Sequence, residues 1–321
     1  MSVRPSAVTA AVTPGVPGRR RSPALSVALV LTLVLLLAAC GTSPSASGRP
    51  TLTIGAIPDQ DPQKLQRLYA AVADRLGAAL GVEVVYRPVT DYAAAVSLFR
   101  TGDLQLVWFG GLTGVQARLQ TPGAVPVVQR DIDGDFHSLF LAGTSARLRP
   151  VSDVAGLTAL KGSRFTFGSQ SSTSGYLMPA YFLIRAGVDP QRDFAGQPGL
   201  SGSHDQTIDL VTSGTYQAGV VNEQVWNSRL AAGTIDTGKV SVLFRTPAYA
   251  DYHWLLGPTA VAGLGADLPE RVRRAFEELD PADPTDAQVL QLFGARRFVP
   301  TVAENYAQIE QVGRQLGLIN G

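Results

Sequence analysis

The sequence predicts an α/β protein built on a parallel sheet with helices on its faces. Three observations carry that prediction. Short apolar, strand-type runs alternate with longer stretches whose apolar residues recur every three or four positions. Loops rich in Gly, Ser and Thr follow the strand-type runs, where open α/β sheets place their ligands. About 280 residues follow the N-terminal apolar segment, enough to bury the cores of two modest lobes.

The chain opens with a targeting pattern. Arg19-Arg20-Arg21 supplies a positive region, residues 25–37 form an apolar run too short to cross a bilayer, and Leu37-Ala38-Ala39-Cys40-Gly41 follows. That last stretch resembles a bacterial lipobox. Residues 1–40 are therefore expected to be a lipoprotein signal peptide, with Cys40, the only cysteine, carrying the lipid. The alternative is an uncleaved anchor with a chance cysteine. Residues 41–50 are rich in Ser, Gly and Pro and predict a flexible tether.

Residues 51–57 read as the first strand. Pro62 suits the first position of a helix, capped by Asp59 or Asp61, and Leu65, Leu68, Val72, Leu76 and Leu80 mark its buried face. Residues 82–88 read as a strand, Asp91 caps a helix over 93–100, and 104–109 is a buried-type strand. Gly110-Gly111 turns into a helix over 112–119, and strands follow at 125–129 and 137–142. A second cycle starts near Val151. It has a strand at 164–168, helices at 175–186 and 207–212, a strand at 218–221 and a helix at 223–232. A strand at 251–256 and helices at 269–279, 287–293 and 303–316 complete the chain.

Charge narrows the function. The full chain carries 27 basic and 26 acidic residues, and the four arginines before Cys40 leave with the signal. The remainder is slightly acidic, with no general electrostatic reason to bind nucleic acid. Local geometry must therefore create any anion site. Ser171-Ser172-Thr173-Ser174-Gly175, between a strand and a helix, offers such geometry: hydroxyls and helix-start amides pointing outward at the positive end of the dipole. The same stretch also suits an ordinary N-cap. Pro179, one turn further on, removes an internal helix bond and predicts irregularity there.

Several motifs taken together resemble a known family. They are Thr90-Asp91-Tyr92-Ala93, Val107-Trp108-Phe109-Gly110-Gly111, Phe167-Gly168 with Ser172-Thr173-Ser174-Gly175, Gly202-Ser203-His204-Asp205, Asn222-Glu223, and Arg297-Phe298-Val299-Pro300 with Asn305-Tyr306. In this order and spacing they resemble substrate-binding proteins of ABC importers for phosphate, phosphite and phosphonate. Trp108 to Gln116 and Gln129-Arg130-Asp131-Ile132-Asp133 are most similar to the branch named for selenate importers. The resemblance spans about 51–318. It implies a two-lobed type II periplasmic-binding-protein fold with the ligand cleft between lobes joined by two crossover strands. Lobe one would be 51–143 plus 247–321, and lobe two 144–246.

The resemblance also implies a ligand-binding set. Ser172, Thr173 and Ser174 match the anion-binding turn, Tyr92 a hydroxyl donor from lobe one, and His204 a contact from lobe two. Phe109 stands where several relatives have tyrosine, which leaves an apolar wall. Gly110, Gly111 and Thr113 are candidates for a second amide cradle. Glu223 and Asp251 match carboxylates that accept a bond from a ligand amine or a protonated oxygen. An ionised carboxylate facing a fully deprotonated dianion is repelled in a dry cleft, so these two favour phosphite, phosphate, phosphonate or selenite over selenate.

The implied function is capture of a small tetrahedral oxyanion, selenate by the branch it most resembles or else phosphonate, phosphite or phosphate, and its delivery to ABC permease and ATPase subunits. The protein would be a lipid-anchored, extracytoplasmic monomer without cofactor or metal. A sensor lipoprotein coupled to a signalling partner is the alternative. A hydrolase is a third reading, but Gly199-Leu200-Ser201-Gly202-Ser203 does not match the nucleophile-elbow pattern. Asp131, Asp133 and Asp135 before His137 suggest a metal site only superficially and read as a solvated loop.

Overall fold

The computed structural model describes residues 49–320 and the isolated position Gly15. The expected signal segment, Cys40 and most of the tether lie outside the described residues. β1 (Thr51–Ala56) leads to α1 (Pro62–Leu80). Asp61 is the cap, its side chain accepting the Lys64 N–H, Pro62 occupies the first turn, and Gly81 ends the helix at φ 70°. All five leucine and valine positions expected on its inner face are buried.

β2 (Glu83–Tyr86), α2 (Tyr92–Thr101), β3 (Leu106–Phe109), α3 (Gly111–Gln120) and β4 (Val125–Arg130) follow in the expected order. β5 (Ser138–Gly143), β6 (Phe165–Phe167), α4 (Met178–Arg185), β7 (Gly199–Leu200), α5 (His204–Thr212), β8 (Ala218–Asn222), α6 (Glu223–Ala231) and β9 (Val240–Arg245) make the middle of the chain. β10 (His253–Leu256), α7 (Pro258–Leu264), α8 (Leu268–Glu277), α9 (Pro284–Phe293), β11 (Phe298–Pro300) and α10 (Ala307–Gln315) complete it. Sequence patterning missed β7, β9 and α7 as elements, and saw β11 only as a motif.

The strands form two sheets, one ordered β11-β4-β10-β3-β1-β2 and the other β7-β6-β8-β5-β9. The expected parallel pairing holds for β1 with β2 and β3, and for β6 with β7 and β8. Both sheets are nevertheless mixed. β10 runs antiparallel between β3 and β4, and β5 runs antiparallel to β8 and β9. These reversed strands are the first ones laid down after the chain passes between sheets, so they enter from the opposite end.

This placement moves one lobe boundary. Ser138–Gly143 pairs in the second sheet, so the first passage lies at 131–137 and not at 143. The return passage runs over 246–252, between β9 and β10. The two passages brace each other. Phe136 and Tyr249 exchange backbone hydrogen bonds of 3.0 Å in both directions, and the Asp251 N–H donates to the Asp133 carbonyl at 3.0 Å. Each sheet is backed by its own helices, and one large apolar core with a smaller satellite under β5 and β8 results.

Candidate functional site

The turn after β6 departs from α-helical geometry as Pro179 predicts. Thr173–Leu177 forms a π-type turn ahead of α4, with the Leu177 N–H reaching back to the Ser172 carbonyl. Proline has no N–H to offer the Gly175 carbonyl four residues earlier, and that carbonyl accepts from the Gly168 N–H instead, at 2.9 Å. Ser172 caps the turn by accepting the Gly175 N–H at 2.9 Å. The amides of Thr173 and Ser174 are left at the turn's open end. Ser172, Thr173 and Ser174 are all buried.

Lobe one supplies the opposing wall. Asp251, fully buried on the return passage, accepts the Gly111 N–H on Oδ1 at 2.8 Å. The Thr173 hydroxyl accepts the Leu112 N–H at 2.9 Å. The start of α3 is therefore not the free amide cradle expected of Gly110, Gly111 and Thr113. Its leading amides anchor Asp251 and Thr173, and the Thr113 hydroxyl turns back to the Gly110 carbonyl. A Cβ on Gly110 would lie 3.2 Å from both Asp251 Oδ1 and Thr173 Oγ1, so any side chain here crowds both partners. Tyr92, at the first position of α2 after the Asp91 cap, is buried beside Ser172 and Asp251.

His204 enters from the start of α5. Its Nδ1 accepts the Asn222 N–H at 3.3 Å, and its own backbone N–H donates across the cleft to the Asp59 carbonyl at 3.0 Å. An imidazole accepting on Nδ1 carries its proton on Nε2 when neutral. The ring lies against the 172–175 turn, since a Cβ on Gly175 would sit 3.0 Å from Ser172 Oγ and 3.2 Å from His204 Cε1.

Four side-chain atoms of this cluster are buried without a hydrogen-bond partner in the protein: Tyr92 Oη, Ser174 Oγ, His204 Nε2 and Asp251 Oδ2. Three are donors and one is a carboxylate oxygen. Each such group costs roughly 1–3 kcal/mol when left unmade, so four in one place call for a polar guest. Burial pushes the Asp251 carboxyl up to about 7 against the pull of the Gly111 amide and the Thr173 hydroxyl. Burial pushes His204 down to about 3, which keeps the ring neutral, and drives the Tyr92 phenol well above its ordinary value. The halves are closed on each other: besides the bonds above, the Asp61 N–H donates to Asp205 Oδ2 at 2.9 Å.

Other expected site residues stand apart. The Glu223 carboxylate takes two bonds from Arg245, at 2.7 and 2.9 Å, and faces an open cleft of about 960 Å³ lined also by Asn227, Gln288 and Gln291. It is turned away from the four unpaired atoms, because Asn222, one residue earlier, points inward at the end of β8. Phe109 is core, edge-on to Phe99 at 5.6 Å. The acids before His137 are not a solvated loop throughout. Asp133 is fully buried in a two-pronged pair with Arg130, Asp131 binds Arg296, and only Asp135 is exposed. Among the described residues no cluster of His, Cys, Asp or Glu is suited to a metal ion. Sequence reasoning missed Asp59 as a site neighbour. Asp59, taken there as a helix cap, accepts the Tyr252 hydroxyl at 2.8 Å.

The chain is similar to proteins of one known family. A family model described as "ABC transporter, phosphonate, periplasmic substrate-binding protein" matches residues 54–306. The chain is 43% identical over 284 residues to the probable ABC transporter phosphite binding protein PhnD1 of Prochlorococcus marinus (strain MIT 9301), covering 88% of this chain and 96% of that one. It is 27% identical over 263 residues to the phosphate-import protein PhnD of Mycolicibacterium smegmatis, covering 77% of this chain and 79% of that one. A solved structure of PhnD1 from Prochlorococcus marinus in complex with methylphosphonate superposes with a TM-score of 0.82 at 44% identity, covering 84% of this chain and 99% of that one.

Proposed function

The chain belongs to the phosphonate periplasmic substrate-binding family of ABC transporters, and from that premise we propose that it captures a small phosphite- or phosphonate-class anion in the closed chamber and hands it to a membrane permease. The single observation carrying this reading is the set of four unpaired, buried atoms on Tyr92, Ser174, His204 and Asp251. Neutral donors and helix-start amides hold the oxyanion oxygens, and charge-assisted bonds of this kind are about twice as strong as neutral ones.

Asp251 sets the ligand class. Its free oxygen requires that either the carboxyl or the guest carry a proton. Phosphite and alkylphosphonates offer an exchangeable proton near neutral pH, whereas selenate and sulfate do not. With its carboxyl ionised Asp251 disfavours selenate, and the similarity to a phosphite binding protein and to a methylphosphonate complex points the same way. Glu223, bound by Arg245, offers nothing to a ligand amine, which favours phosphite and methylphosphonate over aminoethylphosphonate. Capture without chemistry is supported by the family, whose named members are transport binding proteins. Lipid attachment at Cys40, monomeric state and delivery to permease and ATPase subunits belong to the same proposal, supported by the lipobox and by the family.

Calorimetry with phosphite, methylphosphonate, phosphate, aminoethylphosphonate, selenite, selenate and sulfate tests it. Heat from phosphite or methylphosphonate, and none from selenate or sulfate, is expected. Saturable binding of selenate alone would overturn the ligand class.

A further inference from the structure

A ring of hydrogen bonds lies behind the chamber. The Tyr252 hydroxyl donates to Asp59 Oδ2 at 2.8 Å and accepts from Asn222 Nδ2 at 2.9 Å. The Asn222 backbone N–H donates to His204 Nδ1, and the His204 backbone N–H donates to the Asp59 carbonyl, which closes the ring. Asn222 is held at its other end too, its Oδ1 accepting the Val225 N–H at 2.7 Å as the cap of α6. All four residues are at least nine-tenths buried.

We propose that Tyr252 and Asp59 are positioning residues: through the Asn222 side chain and the His204 backbone they form a latch that holds the lobes closed with the His204 Nε2–H at the anion. The proposal rests on the reading that His204 meets the anion. Asp59 follows β1 in lobe one, Tyr252 lies on the return passage, and Asn222 and His204 belong to lobe two. Two of the four bonds, His204 to Asp59 and Asn222 to Tyr252, therefore join lobe two to the rest of the chain and separate when the lobes part. The same Asn222 residue that reaches Tyr252 supplies the amide that obliges Nδ1 to accept, which leaves Nε2 with the proton facing the chamber. Tyr252 is a rigid part for this task. It stacks on Trp108 at 5.7 Å and 16°, with the Arg130 guanidinium 4.9 Å from its ring centroid. Buried polar rings of this kind hold when every member is satisfied and fail together when one is removed.

Tyr252→Phe removes one hydroxyl and keeps the stacked ring. With methylphosphonate as the probe and stopped-flow tryptophan fluorescence as the readout, dissociation should quicken by roughly tenfold or more, and association should stay within about twofold. The melting temperature of the ligand-free protein should stay within about 2 °C, because the latch bonds to lobe two form only on closure. Asp59→Asn should act in the same direction, and the double variant should lose less than the sum of the two. Nitrogen NMR of the bound state should show a single Nε2–H tautomer for His204 in the wild type and in Tyr252→Phe alike, because the Asn222 backbone bond that sets it lies within lobe two. An unchanged dissociation rate in both variants overturns the latch. So does a loss of affinity matched by an equal fall in ligand-free stability, which marks a merely structural role. Wild-type protein that binds neither phosphite nor methylphosphonate would overturn the proposed function itself, and the latch with it.

Discussion

The open cleft beside Glu223 and the closed chamber beside Asp251 treat charge in opposite ways. In the cleft, roomy at about 960 Å³, Glu223 is bound by Arg245 and Asp131 by Arg296. In the chamber, Tyr92, Ser174, His204 and Asp251 each keep one buried polar atom unmatched by the protein. Space and exposed charge therefore do not mark the site. Water already satisfies the groups of the cleft, and ion pairs there are worth roughly 0–1 kcal/mol. Unmatched atoms in the buried cluster are costly, at roughly 1–3 kcal/mol each, and the proposed guest would complete their bonds.

The largest expected effect breaks the comparison at Asp251. Its raised native pKa means that the folded state holds this proton more tightly than the unfolded chain, where 3.8 is the ordinary value. Its contribution to stability is thus present below about pH 4 and is lost as pH rises through about 7. His204 and His253, both pushed down by burial, produce the opposite slope, so the wild-type curve alone conceals the term. Asp251→Asn keeps an oxygen for the Gly111 N–H and removes the charge. In ligand-free melts from pH 4 to 8 the variant should gain on the wild type as pH rises, by up to about 4 kcal/mol. A pH-independent difference would show that Asp251 does not sit as a strained carboxyl.

Ser174→Ala sharpens the contrast at the next level. Losing a buried hydroxyl proposed to meet the guest should weaken methylphosphonate binding roughly tenfold to a hundredfold, with ligand-free stability changed by no more than about 1 kcal/mol. Calorimetry and a thermal melt check both halves of that statement. A loss of stability without a loss of affinity would remove Ser174 from the chamber's working set. The smallest effect belongs to the cleft. Glu223→Ala should change phosphite and methylphosphonate affinity by less than about twofold and cost at most about 1 kcal/mol of stability, because its pair with Arg245 is half in solvent. A tenfold loss of affinity would return Glu223 to the ligand.

Much of this was legible along the chain. The first helix declared its Pro62 start and its buried stripe, with the cap left between Asp59 and Asp61, and the hydroxyl turn at 172–174 announced itself together with Pro179. The missing pieces share one property: their signals are weak locally. β9 carries only a broken alternation of buried and exposed positions, and β7 is two residues long. Asp59 looked like a helix cap because its role depends on Tyr252, 193 residues away. Glu223 and Asp251 looked alike as carboxylates, and only the position of Arg245 on β9 tells them apart.

The sequence by itself determined the helices, their caps, the irregular turn before α4 and the family-wide motif order, because these follow from contacts a few residues apart. The tertiary structure alone decided which atoms share the chamber, the direction of the strands that follow each passage, and the exclusion of Glu223. Those outcomes rest on bonds such as Leu112 to Thr173, Gly111 to Asp251 and Tyr252 to Asp59, spanning 61, 140 and 193 residues. No local pattern encodes such pairings. They arise when two separately packed sheets close, and burial then decides which polar atoms the protein satisfies and which it leaves for its guest.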